Sequence, residues 1–291
     1  MSYSPNSTPP AQPGLPFIKG HGTGNDFIVI DAVAVEVYLS VDDVKAMCDR
    51  HTGIGADGVL RVAHASEFAV SDAKFFMDYR NADGSIAETC GNGLRVFARF
   101  LVEKGYESRG AFPIATRGGI VEATVRADDV DFTDVAIKMG EPSLIAVDDI
   151  NVFTEDGTWP GIGVHMPNPH CVTVVDDIDD AGALVEAPTV TPDGTFPQGV
   201  NVEFIAEKSN AHVSMRTFER GVGETLSCGS GACAAGYVWA QHQGLATPWT
   251  VQIDVLGGTV FVDGATSGEL TLRGPAEFVA SGTYDQFVWL D

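Results

Sequence analysis

Two short stretches of this chain carry the residue types for proton chemistry at carbon. Cys90-Gly91-Asn92-Gly93 runs into the apolar segment Leu94 to Val102, and Cys228-Gly229-Ser230-Gly231 runs into Ala232 to Trp239. In each, a cysteine stands where a buried helix should begin. The first backbone N–H groups of a helix lack intrahelical partners, and the positive end of its dipole lies there. Gly-x-Gly keeps side chains away from those groups, so a carboxylate can approach them. The same field is expected to lower the thiol pKa toward neutrality. Each stretch thus offers a base beside an anion cradle.

Taken singly, either stretch is as well explained by a small buried cysteine. Recurrence changes that. The two cysteines lie 138 residues apart. Asn25 and Asn168, each ahead of an apolar strand closed by an aspartate, lie 143 apart, and the Gly118 and Gly257 turns lie 139 apart. Landmarks in one order at nearly one offset indicate a duplicated domain of about half the chain, a period far too long for a solenoid. Two thiols on opposite sides of one carbon would perform two-base stereoinversion: one removes the α-proton and the other returns a proton to the opposite face. A substrate carboxylate between the two helix starts would be stabilised most as negative charge develops on it.

The elements that must position these groups read as many short strands around one strongly apolar helix per half. Leu94, Phe97 and Leu101 keep helical spacing, and Val96, Phe100 and Val102 widen the face, so the helix must be enclosed; Gly105 ends it. The predicted class is α+β, with two pseudo-symmetric domains, each a β-barrel-like sheet wrapped around a central helix. The first spans 15–136 plus 275–291 and the second 137–274. The strand Ala276 to Ala280 is assigned to the first, because a loose apolar strand would be an edge liability. A helix capped by Ser40 runs to Arg50 with Cys48 on its apolar side. Cys171 and Cys233 read as packing residues. Residues 1–14, rich in Ser, Pro and Asn, read as a disordered tail and not as a signal peptide.

Composition excludes several classes. Forty acidic residues against 17 basic ones leave a net charge of −23, which argues against nucleic acid or an anionic membrane surface as partner. Five cysteines, with no Cys-x-x-Cys pair, argue against a disulfide framework and a zinc site and for a reducing, cytoplasmic setting. No stretch reaches the length of a membrane span. No lysine stands in a pyridoxal context and no dinucleotide fingerprint is present, so neither cofactor nor metal is expected.

An ordered set of further motifs carries a resemblance. It comprises Gly24-Asn25-Asp26-Phe27, Gly53 to Gly58, Arg80 to Ser85, Asn168-Pro169-His170, Val200-Asn201-Val202 and Glu219 to Thr225, together with the two cysteine motifs. Over nearly everything after the tail, the chain resembles the diaminopimelate epimerase family. The resemblance implies a cofactor-independent homodimer that interconverts LL- and meso-2,6-diaminopimelate in lysine and cell-wall precursor synthesis. It implies Cys90 and Cys228 as the acid/base pair, with Gly91, Asn92, Gly229 and Ser230 around the reacting α-carboxylate. Asn25, Asn81, Asn168, Asn201, Glu219 and Arg220 would hold the distal amino-acid end, and His170 and Glu219 would tune the thiols. The residue types suit those tasks: Arg220 can grip a carboxylate bidentately and Glu219 can pair with an ammonium. Gly58 departs from the glutamine of many family members, leaving a distal contact absent or replaced by water. Two alternatives remain: a proline or hydroxyproline racemase, opposed by Asn92 where histidine is typical, and a non-catalytic amino-acid-binding relative, opposed by retention of both cysteines.

Overall fold

The structure, a computed structural model, describes residues 14–287. All of the expected tail but Gly14, and residues 288–291, lie outside that range. The first half contributes β1 (Leu15–Gly22), β2 (Asn25–Asp31), α1 (Val41–Cys48), β3 (Gly58–His64), β4 (Phe75–Asn81), α2 (Gly91–Glu103), β5 (Gly110–Thr116), β6 (Gly119–Val125) and β7 (Val135–Gly140). Then follow β8 (Ser143–Leu144), β9 (Asn151–Phe153), β10 (Thr158–Met166), β11 (Asn168–Val175), β12 (Thr189–Thr191), β13 (Asn201–Ser209), β14 (His212–Glu219) and β15 (Gly223–Thr225). The chain continues with α3 (Gly229–His242), β16 (Trp249–Val255), β17 (Gly258–Gly264), β18 (Leu270–Gly274) and β19 (Glu277–Tyr284). No helix among the described residues is long and apolar enough to cross a membrane.

The duplication is written in the strand pairing. In the first half β1–β2 is antiparallel, β2–β3 parallel, β3–β4 antiparallel, β4–β5 parallel, and β5–β6–β7 antiparallel. The second half repeats that succession through β10, β11, β13, β14, β16, β17 and β18. Register is repeated too: Phe27 pairs with Gly58 in β2–β3, and His170 with Asn201 in β11–β13. Leu60 and Glu203 are therefore equivalent positions. The halves join where β7 pairs with β18, and β19 returns to pair antiparallel with β1, Leu15 opposite Tyr284.

Each half closes its strands over one helix. The α2 side chains Leu94, Val96, Phe97, Phe100 and Leu101 are buried against Phe27, Leu60, Tyr79, Ile114 and Ile137. The α3 helix is lined instead by small residues, Ala232, Ala234, Ala235 and Gly236, all buried. A side-chain carbon on Gly236 would come within 2.9 Å of Val262, so only glycine lets this helix lie so close to β17. Trp239 fills the far end, its indole N–H donating to the Asn210 carbonyl at 3.1 Å. The α1 helix starts on a capping box, with Asp43 N–H donating to Ser40 Oγ and Ser40 N–H to Asp43 Oδ2. It ends at Cys48, two residues before the expected Arg50, because Asp49 turns extended.

Leu101 is fully buried at the centre of the first core. Leu101→Ala should lower the unfolding free energy by roughly 3 kcal/mol, as cavity-forming substitutions do. Denaturant unfolding checks this; a loss under about 0.5 kcal/mol would place α2 outside the core.

Candidate active site

Cys90 is the N-cap of α2 and Cys228 the N-cap of α3, each with extended backbone. The Gly93 N–H donates to Cys90 Sγ at 3.4 Å, and Cys228 Sγ lies 3.6 Å from Ser230 Oγ. The two helix starts abut. A side-chain carbon on Gly229 would stand 3.3 Å from Gly91 Cα and 3.5 Å from Asn92 N. One Leu272 methyl lies behind both, 3.1 Å from such a carbon on Gly91 and 3.0 Å from one on Gly229. Glycine at 91 and 229 thus eases the close approach, which brings the helix-start amides of both halves together.

Side chains stitch this seam. Asn92 Nδ2 donates to the Ser227 carbonyl at 3.0 Å and to Asn25 Oδ1 at 3.2 Å. Asn92 Oδ1 is buried without a protein partner. Asn25 Nδ2 donates to Asp57 at 2.7 Å, which turns Asn25 Oδ1 toward the Cys90 thiol at 3.6 Å. Thr23 Oγ1 donates to Ser227 Oγ at 2.7 Å. Thr23 holds φ +50, a region that a β-branched residue rarely adopts, and is 1% exposed.

The other polar candidates fall into small groups. His170 is wholly buried, Nδ1 against Glu203 Oε1 at 2.7 Å and Nε2 against Asn168 Oδ1 at 2.8 Å. Glu219 accepts from Thr225 Oγ1 at 2.5 Å and reaches the Cys228 thiol. Asn201 Oδ1 accepts the Arg220 N–H at 2.9 Å, while the exposed Arg220 guanidinium donates to the Gln198 carbonyl at 2.7 Å. Asn81 Nδ2 donates to Ser85 Oγ at 3.0 Å. These groups satisfy one another here, so a ligand would have to exchange those bonds for its own. Of two sizeable cavities, one of about 290 Å³ has Arg220, Phe218 and Gly199 in its wall; the other, about 350 Å³, lies between Phe153–Asp156 and Ala181–Thr189, and neither is lined by a cysteine.

The expected lowering of the thiol pKa does not occur. Burial pushes Cys90 up to about 11; the Glu219 charge adds to that, while the Gly93 and Asn92 amides and Arg95 oppose it. Cys228 is pushed well above its ordinary value, first by burial, then by Glu219 and Glu203. The Glu219 carboxyl is itself raised by burial, against the pull of its Thr225 hydrogen bond. Helix amides help each thiolate, but desolvation outweighs them.

Comparison with known proteins decides the family. The sequence pattern described as diaminopimelate epimerase matches residues 17–145 and 163–279. The diaminopimelate epimerase of Streptomyces coelicolor is 42% identical over 287 residues, covering 95% of this chain and 97% of that protein. That of Rhodococcus jostii is 43% identical, covering 94% and 99%. The chain belongs to the diaminopimelate epimerase family. Among solved structures, a phenazine biosynthesis protein of the PhzF family from Bacillus anthracis superposes with a TM-score of 0.67 at 16% identity, covering 93% of this chain and 99% of its own. A hydroxyproline epimerase from Agrobacterium vitis gives 0.65 at 16%, covering 93% and 91%. Those likenesses establish the shared α+β fold.

As a member of the diaminopimelate epimerase family, the chain is informative where it departs. A side chain at Gly58 would run into the Arg80 carbonyl and lie 2.7 Å from Tyr79 Cε2. The tyrosine ring occupies the space a glutamine would need. Sequence reasoning passed over Thr23, Asp57, Arg95, Glu203 and Ser227. Asp57 sits inside a motif already singled out, and Thr23 and Ser227 each stand directly before one. Glu203 and Arg95 carried one signal only, a charged residue inside an otherwise apolar segment.

Every thiol in the described residues is free, and burial raises all five: Cys48, Cys171 and Cys233 to about 12, Cys90 to about 11, and Cys228 well above 9. Raised values keep thiols protonated as pH climbs. Thiolate absorbance near 240 nm should therefore stay flat from about pH 7 to 9 in the native protein; a step of one thiolate below pH 8 would contradict this.

Proposed function

We propose that this protein interconverts LL-2,6-diaminopimelate and meso-diaminopimelate, acting as a cytoplasmic homodimer with Cys90 and Cys228 as the acid/base pair. One observation carries the reading: two thiol N-caps whose helix starts touch at Gly91 and Gly229. Residues 15–136 with 275–291, and 137–274, act as two domains that close on the substrate from either side.

In this mechanism the reacting α-carboxylate lies on the free amides following Cys90 and Cys228, beside Asn92 and Ser230. One thiolate takes the α-proton and becomes a thiol. The electron pair left on carbon delocalises into the carboxylate, where the amides of two helices hold the added charge. The opposite thiol then delivers its proton to the other face and becomes the thiolate. The pair ends with its protonation exchanged, ready for the reverse reaction. Burial raises the cost of forming each thiolate and also strengthens it as a base once formed. The ammonium on the reacting carbon supplies a positive charge beside that thiolate.

Asn81, Asn201, Glu219 and Arg220 suit a second, unreactive amino-acid head, with Arg220 for its carboxylate and Glu219 for its ammonium. A site whose polar groups give up their mutual bonds on binding gains them back only from that head, and so rejects amino acids lacking it. His170, clamped between Glu203 and Asn168, orders the Cys228 side, and Glu219 acts on both thiols. The family's glutamine contact is replaced by the Tyr79 wall.

Cys90→Ala and Cys228→Ala should each lower epimerisation by at least about 1000-fold while leaving the fold intact. The assay is solvent deuterium exchange into LL- and meso-diaminopimelate, with proline alongside. Full activity in either variant would sink the two-base reading, and exchange into proline alone would sink the substrate assignment.

A further inference from the structure

The two halves repeat one another in pairing and register, yet the duplicate positions behind the two helix starts carry different charges. In the first half, Arg95 lies one turn into α2, four residues past Gly91, and Leu60 lies under the helix start, its Cδ2 3.3 Å from where a side chain on Gly93 would begin. In the second half, the residue at the same offset from its cysteine is Cys233. The equivalent of Leu60 is Glu203, whose Oε1 crowds the same place on Gly231. A positive group therefore stands behind one cradle and a carboxyl behind the other.

Both groups are unusual by physical standards. Arg95 is 0% exposed, and no carboxylate among the described residues acts on it. Its Nε donates to the Pro275 carbonyl at 3.1 Å and its Nη2 to Thr23 Oγ1 at 3.2 Å, while Nη1 is buried without a partner. Thr23 accepts that bond and donates its own hydroxyl hydrogen bond to Ser227 Oγ, next to Cys228. A buried cation without a counter-charge is costly, and negative charge formed nearby would offset that cost. Glu203 is also 0% exposed; its Oε1 meets His170, and its Oε2 is buried with no partner.

We infer that the duplication has been polarised: Arg95 behind Cys90 and Glu203 behind Cys228 make Cys90 the thiol that gives up its proton first. Without substrate, Cys90 is then the first of the pair to ionise; with substrate bound, the face that carries the α-proton decides which thiol acts as the base. The other groups facing the pair do not reverse this. Cys90 meets the Asn25 amide of β2, the Tyr79 phenol of β4 and the Glu219 carboxyl of β14. Cys228 meets Ser230 and the Gly231 amide on its own helix, Glu219 of β14 and Glu203 of β13, and the Glu203 carboxyl is also held by His170 of β11. Glu219 bears on both thiols and hydrogen-bonds Cys228, so it acts in the same direction as Glu203. Arg95 and Glu203 are positioning residues, acting on substrate through the two cysteines. Their part in turnover rests on the two-base reading; the order of proton loss does not.

The test uses the intact enzyme without substrate. Alkylation at Cys90 and Cys228 is followed by peptide mass spectrometry between about pH 7 and 9, with iodoacetamide and with the smaller methyl methanethiosulfonate. Cys90 should react at least about tenfold faster than Cys228, the difference made by one pKa unit. Glu203→Gln should speed Cys228 about tenfold and leave Cys90 within about twofold; Arg95→Met should slow Cys90 about tenfold. If Arg95→Met does not fold, Glu203→Gln decides alone. Cys228 reacting as fast as Cys90, a Glu203→Gln ratio equal to wild type, or a shift seen with only one reagent (a steric effect) would overturn the inference. Wild-type exchange of the diaminopimelate α-proton is measured in parallel. If exchange is absent and the alkylation order holds, the substrate reading fails and the polarised pair stands.

Discussion

The contact of two helix N-termini at Gly91 and Gly229 is the constraint on which the rest of this structure depends. A β-carbon at either position would fit only tightly: each would press on the same Leu272 methyl, and at 229 also on the opposing helix. Bringing two positive dipole ends together is unfavourable unless an anion lies between them. The fold holds them there by other means. The seam pairing of β7 with β18, the Thr23–Ser227 bond and the Asn92–Ser227 bond all cross from one half to the other close to the cysteines. The two enclosed helix cores supply the rigidity, and the energy released by burying them supports the strain at the seam.

Electrostatics at this seam is a contest between burial and helix amides, and burial wins. That result does not weaken the site as a base. A thiolate formed where water is excluded is a stronger base toward a carbon acid than one in solution, provided the substrate brings the positive charge that makes it affordable. A substrate carboxylate on the amides and an ammonium beside the thiolate would complement this volume. The buried Arg95 fits the same proposal, as a cation that favours negative charge on Cys90.

Much of this was legible in the residues. Periodicity at Leu94, Phe97 and Leu101 located an enclosed helix, and the near-constant offset of 138 to 143 residues disclosed the duplication that the pairing of strands then repeated. Gly-x-Gly after each cysteine marked the helix starts, because a side chain there would crowd their approach. The direction of the thiol shifts was not legible. A sequence shows the dipole that accompanies a helix start but not the depth at which the fold buries it. Glu203 and Arg95 escaped for a related reason: a lone charge in an apolar strand or helix reads as a surface residue until the opposite face is known to be covered. The crossing bond from Thr23 to Ser227 joins residues 204 apart, a pairing that no local pattern announces.

The central claim is that two thiols address one carbon from opposite faces, and isotope flow tests it most directly. LL-diaminopimelate is converted in deuterium oxide and stopped after a small fraction of turnover. The account predicts that the meso product carries deuterium at the inverted carbon while the remaining LL substrate carries none, because the thiol that delivers the new proton has equilibrated with solvent and the thiol that removed the old one has not returned it. Product that retains the substrate's own proton at the inverted carbon would mean a single group working on both faces, and would contradict the account.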